Sequence, residues 1–176
     1  MSSEKKPEKT AEEHFKDGLA FSKLGDDRKT FESYKKVIEL DPEHFLAHFN
    51  LGIRYGKLRM NLEAAQSFRE ALRLKPEAPM VHYSLAVVSN LIGEMDEAFK
   101  HYKEAIRINP DFGRAHSNIA MLYYGLKRGK ETIHHLARAA ELFKQTGDEF
   151  MKKNALDLIQ ECGREFDLTP EDCLTL

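Results

Sequence analysis

The chain has 176 residues, 41% of them hydrophobic and 32% charged, which is enough for one domain or a short solenoid with a continuous core. Its 27 Lys and Arg stand against 29 Asp and Glu, and a net charge of −2 argues against a dedicated nucleic-acid binder, which carries a basic excess. The opening MSSEKKPEKT lacks the apolar core of a secretory signal, no later stretch could span a bilayer, and Cys162 and Cys173 have no framework spacing, so a reduced, cytoplasmic setting is expected.

In chain order, residues 1–10 read as a disordered tail. Apolar residues then recur at helical spacing, and the recurrence is itself repeated. Pro42, Pro76 and Pro110 are evenly spaced and close the phrases VIELDP, ALRLKP and AIRINP. Four columns keep the same step: Gly18, Gly52, Ala86, Ala120; Tyr34, Phe68, Tyr102, Leu136; Val37, Ala71, Ala105, Ala139; and Leu24, Leu58, Ile92, Leu126. A polar turn divides each unit, at Gly25-Asp26-Asp27, Arg59-Met60-Asn61, Gly93-Glu94 and Lys127-Arg128-Gly129. Proline biases the residue before it away from helix, so the second helices end at Asp41, Lys75 and Asn109. The spacing predicts helix pairs over 11–41, 45–75, 79–109 and 113–145, in units 11–44, 45–78, 79–112 and 113–146. One hairpin cannot bury its own apolar surface, so stability comes from stacking on neighbours. Within 147–166 a ninth helix, near 148–165, sets Met151, Ala155, Leu158, Ile159, Cys162 and Phe166 on one face and would cover the last hairpin. Residues 167–176 read as a tail.

This pattern resembles the tetratricopeptide repeat over residues 11–146, most clearly in Leu51-Gly52, Tyr55, Ala64, Phe68, Ala71 and Pro76. The fourth repeat departs from it, with Lys144 for proline and Thr132 for alanine. The resemblance implies an all-α, right-handed superhelical solenoid of antiparallel helix pairs, closed by the C-terminal helix. It also implies that the first helix of each pair lines a concave face that receives a segment of another protein. Carried over position by position, the groove residues are Phe15, Leu19, Leu46, Phe49, Asn50, Ile53, Lys57, Met80, Tyr83, Val87, Arg114, Asn118, Met121 and Tyr124, with Lys23, Lys57 and Arg114 near the rim. Chaperone adaptors of the family clamp a carboxylate with Lys, Asn and Arg at fixed places. Here those places read Phe15, Leu19, Asn50, Met80 and Ser84, or one repeat on Phe49, Ile53, Ser84, Arg114 and Asn118, and neither set is a clamp. The expected function is therefore a protein-binding adaptor working through apolar contacts. The alternative is a scaffold that buries the same face in a homo-oligomer.

Other chemistry is weaker. His14, His48, His82 and His116 occupy the fourth position of each first helix in strict register. Helices in contact lie roughly 8–10 Å apart and ligands of one zinc lie within about 4 Å, so one histidine per repeat makes no metal site. They read as half-buried packing residues, and His44, His134 and His135 as surface residues. There is no phosphate loop, nucleophile motif or HExxH, so neither an enzyme nor a cofactor or metal is expected. Cys173-Leu174-Thr175-Leu176 has a prenylation outline, but the acidic run REFDLTPED before it opposes an anionic membrane. Nucleic acid and membrane are not expected partners.

Overall fold

The computed structural model describes residues 8–169. Among these, nine helices account for the regular structure and no strand is present. The first eight form four hairpins: α1 (Ala11–Leu24) with α2 (Asp27–Leu40), α3 (Phe45–Lys57) with α4 (Asn61–Leu74), α5 (Pro79–Leu91) with α6 (Met95–Ile108), and α7 (Gly113–Gly125) with α8 (Gly129–Thr146). The ninth, α9 (Glu149–Phe166), packs on α8.

Local chemistry sets most of the ends. Thr10 and Glu13 form a capping box at the start of α1, with Thr10 N donating to the Glu13 carboxylate at 2.8 Å. Asp26 and Asp148 accept from Lys29 N and Met151 N, capping α2 and α9. Asp41, Lys75 and Asn109, each before a proline, leave the helical region at ψ 89°, 87° and 90° and end α2, α4 and α6. The fourth repeat has Lys144 at the proline's place, and α8 runs on to 18 residues before Gly147 stops it at φ 73°. Inside the hairpins a left-handed residue recurs once per repeat: Gly25, Arg59, Gly93 and Lys127, at φ 75°, 59°, 83° and 58°. Glycine suits that place, whereas Arg59 and Lys127 carry a steric cost on the order of 1 kcal/mol each.

The chain divides after Pro76 into two compact units. In unit 1, Phe15, Tyr34, Val37, Ala47 and Leu51 form a core joined by Phe31 and Tyr55, whose rings lie 4.7 Å apart. Gly18 and Gly52 are required by close approach, since a Cβ there would lie 2.5 Å from the rings of Tyr34 and Phe68. Two clusters lie among the described residues of unit 2. One gathers Ala86, Tyr102, Ala105, Ile119, Leu122 and Tyr123 between α5, α6 and α7. The other closes Ala120, Ile133, Leu136 and Ala140 under Ala155 and Cys162 of α9. Thr30 and Thr132 fill places that alanine takes in the other repeats; both are fully buried and donate to the carbonyl one helical turn back, at 2.7 and 2.9 Å.

Residues 8–10 carry no helix, Thr10 being fixed as the cap of α1, and residues 1–7 of the expected N-terminal tail lie outside the described residues. Cys173 and its motif lie outside them too. No helix among the described residues is long and apolar enough to cross a membrane.

Candidate functional site

In unit 1 the first-helix positions do not behave alike. Leu19 and Leu46 are 37% and 45% exposed, Phe49, Asn50 and Ile53 are half-buried, and Lys57 is exposed. The Phe49 ring lies 6.1 Å from Phe45 and 6.0 Å from Phe68, so its inner edge is packed and its outer edge accessible. Phe15 corrects the sequence reading. Only 7% of it is exposed, and it wedges between Tyr34 and His44 at 5.8 and 4.7 Å. It belongs to the core because His44, the residue that caps α3, closes over it.

In unit 2, Met80 is 52% and Met121 37% exposed, Arg114 is exposed, and Tyr83, Val87 and Asn118 are half-buried. Asn118 orders the middle of this face, its amide donating to the hydroxyls of Tyr83 and Tyr102, each at 3.2 Å. Burial pushes the Tyr102 hydroxyl up to about 12, which keeps it neutral. Met80 and Arg114 share a cleft of about 380 Å³ with Phe112, Leu142 and Phe143. Tyr124 departs from its expected role. Its hydroxyl donates to Glu165 of α9, and Lys127 Nζ donates to the same carboxylate at 2.7 Å. The hydrogen bond to Glu165 holds the Tyr124 hydroxyl up at about 12. Tyr124 therefore anchors the terminal helix. Sequence reasoning passed over Leu91, 64% exposed near the end of α5. Its signal was an apolar residue at the place where the other first helices carry Lys23, Lys57 and Gly125.

The histidines carry the largest difference from expectation. His82 and His101 meet through their Nδ1 atoms at 2.9 Å, and His116 and His135 through theirs at 3.0 Å. His82, His101 and His116 are buried and His135 is half-buried, stacked 5.5 Å from Tyr123, so it is not the surface residue expected. The separation along the chain is the same in both pairs, a spacing legible in the sequence but overlooked when first helices were compared only with one another. Among the described residues no group of three His, Cys, Asp or Glu is placed to hold a metal ion.

Two stretches match family models, residues 18–44 as a tetratricopeptide repeat and 91–127 as a TPR repeat. Each covers parts of consecutive helices of the repeating units described above. The chain thus carries tetratricopeptide repeats over these two stretches.

Solved structures agree with that fold. A crystal structure of MamA shares 26% identity over 78% of this chain and 81% of its own, with a TM-score of 0.74. MamA 41-end from Desulfovibrio magneticus RS-1 gives 19%, 77%, 76% and 0.71 on the same measures. YrrB, a TPR protein with an unusual peptide-binding site, gives 18%, 85%, 84% and 0.67. None of the curated proteins matches the chain. The fold is the all-α tetratricopeptide solenoid, whose repeats serve as non-enzymatic interaction scaffolds, and this chain is a protein–protein interaction module.

Proposed function

We propose that the protein is an adaptor whose first helices take an apolar segment of a partner protein, with side-chain anchors supplying most of the affinity. The carrying observation is that both units leave large aliphatic side chains open on first helices: Leu19 and Leu46 in one, Met80, Leu91 and Met121 in the other. An aliphatic surface beside half-buried Phe49 and Tyr83 gains by being covered, and interface energy concentrates in such central contacts. Lys57 and Arg114, both exposed, add charge that steers encounter more than it holds the complex. A segment with apolar anchors and a few acidic residues fits this chemistry.

The test is a binding isotherm for a partner recovered by pull-down. Phe49→Ala in unit 1 and Tyr83→Ala in unit 2 should each weaken binding at least about tenfold, the scale of one hot-spot contact. Lys57→Ala should weaken it mildly, and Glu70→Ala on the second helix α4 should leave it unchanged. Circular dichroism of each variant must show the fold retained. Equal losses from Glu70→Ala and Phe49→Ala would remove the first-helix faces as the site.

A second reading has its own support. In the scaffold reading a second copy covers the same first-helix faces, and Phe150 and Leu156 of α9, 73% and 43% exposed, add apolar surface for it. Light scattering that shows mass rising with concentration would favour this scaffold reading.

A further inference from the structure

Each histidine pair bridges the two helices of one hairpin, His82 with His101 across α5 and α6, and His116 with His135 across α7 and α8. The outer partners fix which nitrogen carries the proton. His101 Nε2 lies 3.0 Å from the Glu97 carboxylate, which only accepts, so this nitrogen donates. In the neutral ring His101 Nδ1 must then accept, and His82 Nδ1 donates to it. His116 Nε2 lies 3.2 Å from the Pro110 carbonyl, and by the same logic His135 Nδ1 donates to His116 Nδ1. One proton thus sits between each two nitrogens. Adding a second charge to a pair already carrying one sets N–H against N–H and two imidazolium rings in contact, away from water.

We propose that these pairs make the hairpins α5–α6 and α7–α8 open selectively in acid, because doubly protonating a pair destroys the bond that joins its two helices. Unit 1 lacks the device. At the same separation from His14 and His48 stand Ser33 and Ser67, whose hydroxyls do not titrate; Ser67 Oγ donates to the Glu63 carbonyl. A histidine also serves as a helix cap there. His44 Nδ1 accepts from Ala47 N at 3.1 Å and loses that cap when protonated, a local effect at the start of α3.

The surrounding charges do not rescue the pairs. His82 and His101 face Glu97, Lys100 and Glu104 of α6, and Glu97 and Glu104 are already joined to Lys100 and Arg107. His116 and His135 face His134, Glu131 and Arg138 of α8, Lys103 of α6 and Asp111 of the preceding turn. Arg128 holds Glu131 and Arg138 holds Asp111, while Lys103 and His134 repel a new charge. Burial, then the neighbouring ring of His82, keeps His101 below the ordinary imidazole range; burial does the same to His116. Burial, then His116, then His134 push His135 down to about 4. The unfolded chain takes these protons near pH ~6.5, so the unfolded state binds more protons throughout the interval. Stability is therefore fully present above that value and is lost as pH falls toward about 4. Each missing proton lowers the folding constant on the order of tenfold per pH unit.

Tyr83, Val87, Asn118 and Met121 ride on α5 and α7, so acid would also release a ligand held there, a consequence that rests on the binding role proposed above. The experiment uses no ligand and can fail or succeed independently of that role. Hydrogen exchange read by mass spectrometry on the full chain, corrected for intrinsic rates, should show amides of α5–α8 losing at least about tenfold protection between about pH 7 and 5. Those of α1–α4, beyond the first turn of α3, should lose less than about threefold. The double variant H101S/H135S, which installs the serine that unit 1 carries, should abolish the difference. If it fails to fold, NMR titration of the histidines in the unaltered protein decides. At least two should titrate well below the ordinary midpoint. Parallel loss of protection in both units, or ordinary midpoints for every histidine, would overturn the proposal.

Discussion

Unit 1 and the α5–α8 part of unit 2 are built on one plan, offset by two repeats, yet they are held together differently. Phe15, Tyr34 and His44 of the first correspond to Tyr83, Tyr102 and Phe112 of the second, and the ring separations nearly coincide: 5.8 and 4.7 Å against 6.0 and 4.8 Å. Phe31 with Tyr55 likewise matches Phe99 with Tyr123, at 4.7 and 5.1 Å. Against that shared frame, the close-approach column holds Gly18 and Gly52 in unit 1 and Ala86 and Ala120 in unit 2. The place opposite the fourth-position histidine holds serine in unit 1 and a second histidine in unit 2. Phe15 has no hydroxyl, while Tyr83 joins Tyr102 and Asn118 in a polar network. Repetition thus conserved the aromatic scaffold and left the polar contacts between the helices free to diverge. Unit 2 gained directional bonds, and with them a dependence on protonation that apolar contacts lack.

The terminal helix offers the sharpest way to break the comparison, because unit 1 has no counterpart to it. Ending the chain at Gly147 uncovers Ala120, Ile133, Leu136 and Ala140 and leaves Tyr124 and Lys127 without Glu165. The melting temperature should fall on the order of 10 °C, or the protein should aggregate, with α7 and α8 losing exchange protection first. Unchanged melting of a monomeric truncated protein would show that α9 is not a cap.

A smaller effect separates the two polar networks. Asn118→Ala leaves the buried Tyr102 hydroxyl without the amide that bonds it, at a cost of about 1–2 kcal/mol in a denaturant titration. Asn50→Ala, its counterpart in unit 1, should cost less because Phe15 offers no hydroxyl to bridge. Equal losses would mean that the Asn118 bonds contribute nothing specific to unit 2.

The smallest effect lies in the turns. Arg59→Gly relieves a left-handed residue at φ 59° and should raise the melting temperature by a few degrees, for a gain of about 0.5–1 kcal/mol. Lys127→Gly relieves the same conformation at φ 58° but forfeits the bond to Glu165, so its gain should be smaller or absent. Calorimetry of the two variants side by side would show whether the turn or the capping contact matters more in unit 2.

The sequence by itself determined what depends on near neighbours along the chain. Prolines at a fixed period forced the second helices to stop, polar turns divided the hairpins, and helical spacing of apolar residues assigned the all-α repeat class. Only the tertiary structure decided how side chains far apart in the chain use the space between helices. Phe15 sits at a groove position and is nevertheless buried, because His44, at the start of the next hairpin, closes over it. Tyr124 is taken from the open face by Glu165 of the terminal helix, and His135 from the surface by His116. Periodicity tells which side of a helix is apolar, since each turn repeats the same geometry. It cannot tell which neighbour reaches that side first, because side-chain length, rotamer and helix approach enter together only when the hairpins pack.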